Sequence, residues 1–423
     1  MARRNRWRVA AAGTLILSLS GFGLAPAAAH NGADDKVKEV APDEVDGDRD
    51  HEDEHGKDKH GKDKHGKDAK HHKGVHLSDP LLDGLLGPLG FAVSKDGSIT
   101  VAEVFAGRLT QLTRGGEVRT LFEGPVGGGV AVHGRKEVVF TVTRFPEPVE
   151  EPELETPGEP GEELPDIEAT LERLRPNGQQ ETLADLWLYE QQNNPDQINT
   201  YGFRDLDEAC AAQLPEFIPP VYTGILESNP YAVTTDRGGW LVADAAANAI
   251  LRVHRNGTIS TVAVLPPVPN LVTEELAAEF GLPACAVGAT YWGEPVPTDV
   301  EVGPDGHYYV SSLPGGPELP GSGSVFRVHR KTGEVTQVAT GFTMAVDLAI
   351  SRDGTIYVAE LATDFEAMTG RISKIRNGTV SVFYEADTTV SALEIAGHGK
   401  HERLYAAMGG MEAPDGVIVV VHR

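Results

Sequence analysis

The stretch Val346-Asp347-Leu348-Ala349-Ile350-Ser351-Arg352-Asp353-Gly354-Thr355-Ile356-Tyr357-Val358-Ala359-Glu360 decides the fold, together with its continuation Gly370-Arg371-Ile372-Ser373-Lys374-Ile375-Arg376-Asn377-Gly378-Thr379-Val380-Ser381-Val382-Phe383. Apolar residues alternate with period two, the signature of strands with one face buried. Asp353-Gly354 and Asn377-Gly378 interrupt the alternation. Such pairs supply the positive φ angles that two-residue hairpins require. The grammar is strand, Asp-Gly turn, strand, variable loop, strand, Asn-Gly turn, strand.

The same grammar recurs along the chain. Phe91 to Glu103 turns at Asp96-Gly97 and is followed by Gly107 to Gly116. A second copy runs from Gly129 through His133 and Val138. A third opens at Asn229-Pro230-Tyr231, with Trp240 to Asp244 and a turn at Asn256-Gly257. A fourth opens at Pro297-Thr298-Asp299, with Asp305-Gly306 and Val325 to His329. The last runs from Leu393 through Leu404 to Val417 and His422. Four strands per copy and six copies predict an all-β, six-bladed β-propeller over residues 75–423. The last copy stops after three strands. The stretch near Val75-His76-Leu77 is therefore expected to supply the fourth and close the ring, which removes exposed strand edges.

The insertions are expected on one face of this ring. They are residues 145–168, 188–228, 264–296, 312–322 and 361–369. Loops gathered on one face of a rigid scaffold are where function is usually found. The first holds ten acids and no base and reads as a solvated acidic flap. The second and third hold the chain's two cysteines, Cys210 and Cys285. In an exported protein these are expected to form a disulfide, with two free thiols or an active thiol as the alternatives, the latter without a neighbouring His or Asp motif.

Export is read from the N-terminus. Arg3, Arg4, Arg6 and Arg8 precede an apolar run over 9–24, and Ala27-Ala28-Ala29 fits a cleavage site. Residues 1–29 thus read as a signal peptide, and the protein as secreted, because the run is too short for a membrane span. Residues 30–74 repeat His-Gly-Lys-Asp around His55, His60 and His65. They are too polar to bury a core and read as a disordered spacer, with loose capture of divalent cations as the functional alternative. The net charge of −26 argues against a nucleic-acid partner. A monomer is expected.

Repeat positions also collect acids and an amide. Asn229, Asp299 and Asp347 stand at the start of first strands; Glu103, Asp244 and Glu360 stand at the end of second strands. Both positions are expected near the tunnel mouth. Like charges so close are costly unless compensated, and Ca²⁺ or another hard divalent cation takes such oxygen ligands. The alternative is that these side chains cap backbone N–H groups at strand ends and turns. Catalytic residues are not identifiable: there is no Gly-x-Ser-x-Gly elbow and no His-Glu-x-x-His, and His133, His254 and His329 form no spaced ligand set. Asn256-Gly257-Thr258 and Asn377-Gly378-Thr379 match a glycosylation pattern but read as hairpin turns.

Several strings resemble the ScyD/ScyE family of exported propellers with NHL-like repeats. They are Ser228-Asn229-Pro230-Tyr231-Ala232-Val233, Leu241-Val242-Ala243-Asp244, Val296-Pro297-Thr298-Asp299 and Ala339 to Ala349. The resemblance spans about residues 85–423 and implies the fold, not a reaction. A more distant similarity is to gluconolactonase-like propellers, which implies a metal at the tunnel mouth on acids and an Asn. Three functions are weighed: a ligand- or protein-binding module at the cell surface, a metal-dependent hydrolase or lactonase with Asp299, Asp347 or Glu360 as base, and a structural envelope partner.

Overall fold

The computed structural model describes residues 74–133, 137–145, 167–215, 218–316, 319–397 and 399–422. The stretch read as a signal peptide, the His-rich segment and most of the acidic insertion lie outside the described residues.

Among the described residues, strand pairing gives seven antiparallel sheets. Sheet I covers 88–123, sheet II 130–185, sheet III 230–264, sheet IV 297–342 and sheet V 345–385, each with four strands paired in chain order. Sheet VI joins Val390–Ala396, Arg403–Met408 and Gly416–His422 to His76–Leu77 from the other end of the chain. His76 lies opposite His422 and Leu77 opposite Val421. Leu82–Leu85 pairs with the same last strand. The first strands of sheets I to VI pack side by side in cyclic order, with that of sheet VI against that of sheet I. Repeated four-stranded antiparallel sheets in this arrangement are an all-β architecture of propeller type.

Cores form between neighbouring sheets because each strand buries its apolar alternates. Ala359 and Ile372 of sheet V pack with Leu393, Leu404, Ala406 and Val419 of sheet VI. Leu82 and Leu85 pack with Phe91, Val101 and Ile418. Fully burying one such leucine stabilises by about 1.5–3 kcal/mol. Ser78 also exchanges bonds with Val420, through both its N–H and its hydroxyl.

The hairpins differ from the two-residue turns expected at the Asp-Gly pairs. At Asp96-Gly97, Asp305-Gly306 and Asp353-Gly354 only the glycine has positive φ, 88°, 80° and 81°. Ser94 N–H reaches Ser98 O and Gly97 N–H reaches Ser94 O, a three-residue loop. The aspartate then bonds within the turn, and Asp96, Asp305 and Asp353 each accept the N–H two residues on. At Asn377-Gly378 both residues have positive φ, 51° and 74°, and Arg376 pairs directly with Thr379. That turn is the two-residue kind.

The insertions also differ from plain loops. Residues 361–369 lengthen a hairpin, because the strands Ile356–Asp364 and Thr369–Arg376 run on through them. Those at 188–228 and 264–296 build the seventh, accessory sheet from Val221–Thr223, Thr200–Phe203, Thr290–Gly293 and Val268–Leu271, in that spatial order. A Cys210–Cys285 disulfide joins its two halves. It has a small core of its own, with Phe203, Cys210, Val272, Leu276 and Ala286.

Candidate functional site

The acids named from the repeat divide into two groups with different neighbours. Glu103, Asp244 and Glu360, at the ends of second strands, turn inward to their own sheets. Glu103 is wholly buried and accepts from Arg108 Nε and Nη2 at 2.7 and 2.9 Å, from Thr110 Oγ1 at 2.5 Å and from Leu86 N–H at 2.9 Å. Glu360 repeats this with Arg371 at 2.7 and 2.8 Å, Ser373 Oγ at 2.5 Å and Thr343 N–H at 2.7 Å. Asp244 accepts from Ser228 Oγ, Asn229 N–H and Ala247 N–H. Each carboxylate thus pins the chain entering its sheet to the second strand, and in two cases also to an arginine on the third. Burial works to raise the Glu103 pKa, but the bonds from Arg108, Thr110 and Leu86 outweigh it and hold the carboxyl below its usual range. The oxygens of all three are thus engaged by donors from their own sheets and the chain that leads into them.

Asp299 and Asp347 do face the centre. A register shift falls at the same place in five first strands, at Pro88/Gly90, Pro230/Ala232, Pro297/Asp299, Ala345/Asp347 and Val390/Ala392. The residue after the shift is therefore Gly90, Ala232, Asp299, Asp347 or Ala392. Two positions further on stand Glu301 in sheet IV and Glu394 in sheet VI. These four acids line a cavity of about 30 Å³ with Leu89, Tyr231 and other first-strand residues, and with Gly128 just ahead of Val130–His133. Among the described residues, no basic side chain lines it. Asp299 Oδ2 accepts Leu348 N–H at 3.2 Å, and Asp347 Oδ1 accepts Leu393 N–H at 3.0 Å, so each ties its sheet to the next.

Asn229, the third member of that set, stands apart and accepts Thr143 Oγ1 at 3.2 Å, linking sheets II and III. Desolvation raises the Asp299 carboxyl to about 7 and, with repulsion from Asp299, Glu394 to about 8. Burial first, then the other acids, also lifts Glu301 and Asp347 well above the usual range. Glu301 and Glu394 were not legible as site residues, because they fall two positions beyond the repeated acid. Among the described residues, no three His, Cys, Asp or Glu side chains are placed to hold a metal ion together.

The accessory sheet carries a different space. An open cavity of about 550 Å³ is lined by Ile198, Asn199, Thr200, Arg204, Val221 and Pro267. Ile198, Val221 and Leu271 are exposed apolar residues on this unit. The Arg204 guanidinium lies 4.0 Å over the Trp292 ring and donates to Thr200 O at 3.0 and 2.6 Å. None of these residues was singled out from sequence, since the strands that place them are three or four residues long.

No protein-family model matches the chain, and no curated protein matches it. Similar solved structures include virginiamycin B lyase from Staphylococcus aureus, at 13% identity over 82% of this chain and 99% of the other, with TM-score 0.42. A gluconolactonase from Xanthomonas campestris is 11% identical over 81% and 88%, with TM-score 0.47. The PQQ-bound aldose sugar dehydrogenase from Streptomyces coelicolor is 13% identical over 83% and 98%, with TM-score 0.44. At these identities no activity passes from them to this chain. No helix among the described residues is long and apolar enough to cross a membrane.

Proposed function

We propose that the chain is an exported six-bladed β-propeller of the ScyD/ScyE kind. In this reading sheets I to VI are the blades, and 75–77 closes the sixth. Its work is binding, with a ligand or protein partner held on the accessory sheet. The observation that carries this is the contrast between two cavities. The space among the central acids, about 30 Å³, has room for a water or two or one ion. The open groove, about 550 Å³, falls in the range of ligand sites. Its apolar lining of Ile198, Val221 and Pro267, and Arg204, which Trp292 holds from behind by stacking, suit a ligand with an apolar body and an anionic or planar group.

The test is binding of the purified protein to arrays of glycans and anionic peptides, compared with Arg204→Ala and Trp292→Ala. Binding that both substitutions weaken at least tenfold supports the reading. Binding that neither changes sinks it. N-terminal sequencing of protein from the culture medium, expected to begin at His30, tests export.

A second reading, a hydrolase at the central acids, draws on Asp299 and Glu394, whose carboxyls are raised into the range where proton transfer at neutral pH is efficient. A divalent cation there would take Asp299 and Asp347 as ligands. Glu360 drops out as its base, since the carboxylate is wholly buried against Arg371. Turnover of lactones or esters that Asp347→Asn abolishes would favour this reading over the first.

A further inference from the structure

A second group of buried carboxylates lies beside the accessory sheet, where the central acids have no part. Glu190 closes the last turn of the helix Leu186–Asn193, and Asn194 ends it in the left-handed region at φ 36°. Asp196 sits in the following 3-10 turn, Pro195–Ile198. Glu294 follows the accessory strand Thr290–Gly293, and Glu227 precedes sheet III. Asn248 Nδ2 donates both to Asp196 Oδ2 at 2.8 Å and to Glu294 Oε2 at 3.2 Å, which draws those two carboxylates together. Tyr201 Oη donates to Asp196 Oδ2 and Tyr222 Oη to Glu294 Oε1.

Among the described residues, four oxygens of this group have no hydrogen-bond donor. Both carboxylate oxygens of Glu190, Oδ1 of Asp196 and Oδ1 of Asn194 are buried without a partner. Glu190 and Asp196 are each 1% exposed. Leaving one such group unpaired is costly, and a charged one more so. All four unpaired atoms are oxygens, and all come from one seven-residue segment. Glu190, buried first of all, also feels the negative charges of Asp244, Asp196 and Glu227. It also stands at the helix end where the backbone dipole disfavours an anion, in a last turn that holds no base.

We infer that Glu190, Asn194 and Asp196 form a binding site for a hard divalent cation, Ca²⁺ being the best match, at the junction of the accessory unit with sheet III. Calcium takes six to eight oxygens drawn from carboxylates, amides, backbone carbonyls and water. It therefore needs no third acid at the same point, and Glu227 and Glu294 balance its charge from further out. Two carboxylates and an amide from one helix end would then be satisfied at once. The cation would fix the turn 195–198, whose Ile198 is part of the groove wall.

The site is separable from the central acids, and so is its test. The full-length protein, stripped with chelator, is titrated calorimetrically with CaCl₂ and with MgCl₂, beside Glu190→Gln/Asp196→Asn and Asp299→Asn/Asp347→Asn. All three carry the same His-rich segment, so whatever cation it takes up is common to them. One saturable Ca²⁺ site is expected in the unsubstituted protein, weakened at least tenfold in the first variant and retained in the second. Equal Ca²⁺ binding in the first variant and the unsubstituted protein overturns the proposal, as does the absence of a saturable site. Should that variant fail to fold, Tb³⁺ luminescence of the unsubstituted protein decides. Emission sensitised through Tyr201 and displaced by Ca²⁺ is expected, and its absence counts against the site.

Discussion

Substituting Glu360 by alanine tests whether the repeated acid at the end of a second strand is an internal clamp or a ligand-holding group. The side chain is wholly buried and receives four bonds, two from Arg371, one from Ser373 and one from Thr343 N–H. Alanine removes all four and leaves the donors behind. Breaking a buried ion pair by deleting one partner costs about 3–5 kcal/mol. Arg371 keeps a quarter of its side chain exposed and can turn to water, so the lower end, about 3 kcal/mol, is expected. Unfolding entropy near 2.1 cal/mol/K per residue, over the roughly 320 described residues, is about 0.7 kcal/mol/K, so Tm should fall by about 4 °C. Glutamine, which keeps the shape and part of the bonding, should cost about half as much. Differential scanning calorimetry reads both. Glu103→Ala should match Glu360→Ala, because its partners are of the same kinds. A Glu360→Ala protein that melts within 1 °C of the parent would refute the clamp.

Three further outcomes are expected. Deleting 75–86 removes two paired strands, with the buried Leu82 and Leu85, and should lower Tm strongly, whereas deleting 30–70 should leave it unchanged; equal melting of the two would remove the argument for closure. Raising the pH from 5 to 8.5 in chelator should destabilise the protein. The unfolded chain releases the protons of Asp299 and Glu394 near pH 4, but the folded state holds them until about 7 and 8, so their contribution is full below pH 4 and is lost through the upper values. Glu227 and Glu294, both raised to about 7 chiefly by burial, act in the same direction. Glu394→Gln should flatten the slope of Tm against pH, and an unchanged slope would count against the central acids as its source. Finally, Cys210→Ala/Cys285→Ala opens a link across 75 residues, worth about 4.5 kcal/mol by loop entropy. Hydrogen exchange at 200–203 and 290–293 should accelerate while sheet V stays protected, and uniform acceleration would show that the accessory unit does not open on its own.

What the sequence made legible was what local chemistry decides. Alternation and glycine turns mark each repeat, because a strand's face and a turn's φ depend on a few adjacent residues. Repeat position also marks where the acids fall along the strands. Their neighbours were not legible. Glu103 and Glu360 look like the exposed carboxylates of a mouth until Arg108 and Arg371, on the third strands, are seen to reach them. The accessory sheet escaped for a different reason: Thr200–Phe203 pairs with Thr290–Gly293 some ninety residues away, and such short strands carry no periodicity. Glu190, Asn194 and Asp196 lay inside what read as a loop, so nothing marked them as buried.

Sheet VI is sewn from both ends of the chain, and this has a mechanical side. The long N-terminal segment joins the folded unit next to His76–Leu77, the outermost and shortest strand of that sheet. Tension on the segment would load two residue pairs in succession rather than a whole strand at once. The seam would open there first, like a zip drawn from its tab, while Leu82–Leu85 still held the last strand from its other end. Whatever grips the segment therefore pulls first on the short pairing of His76–Leu77 with Gly416–His422.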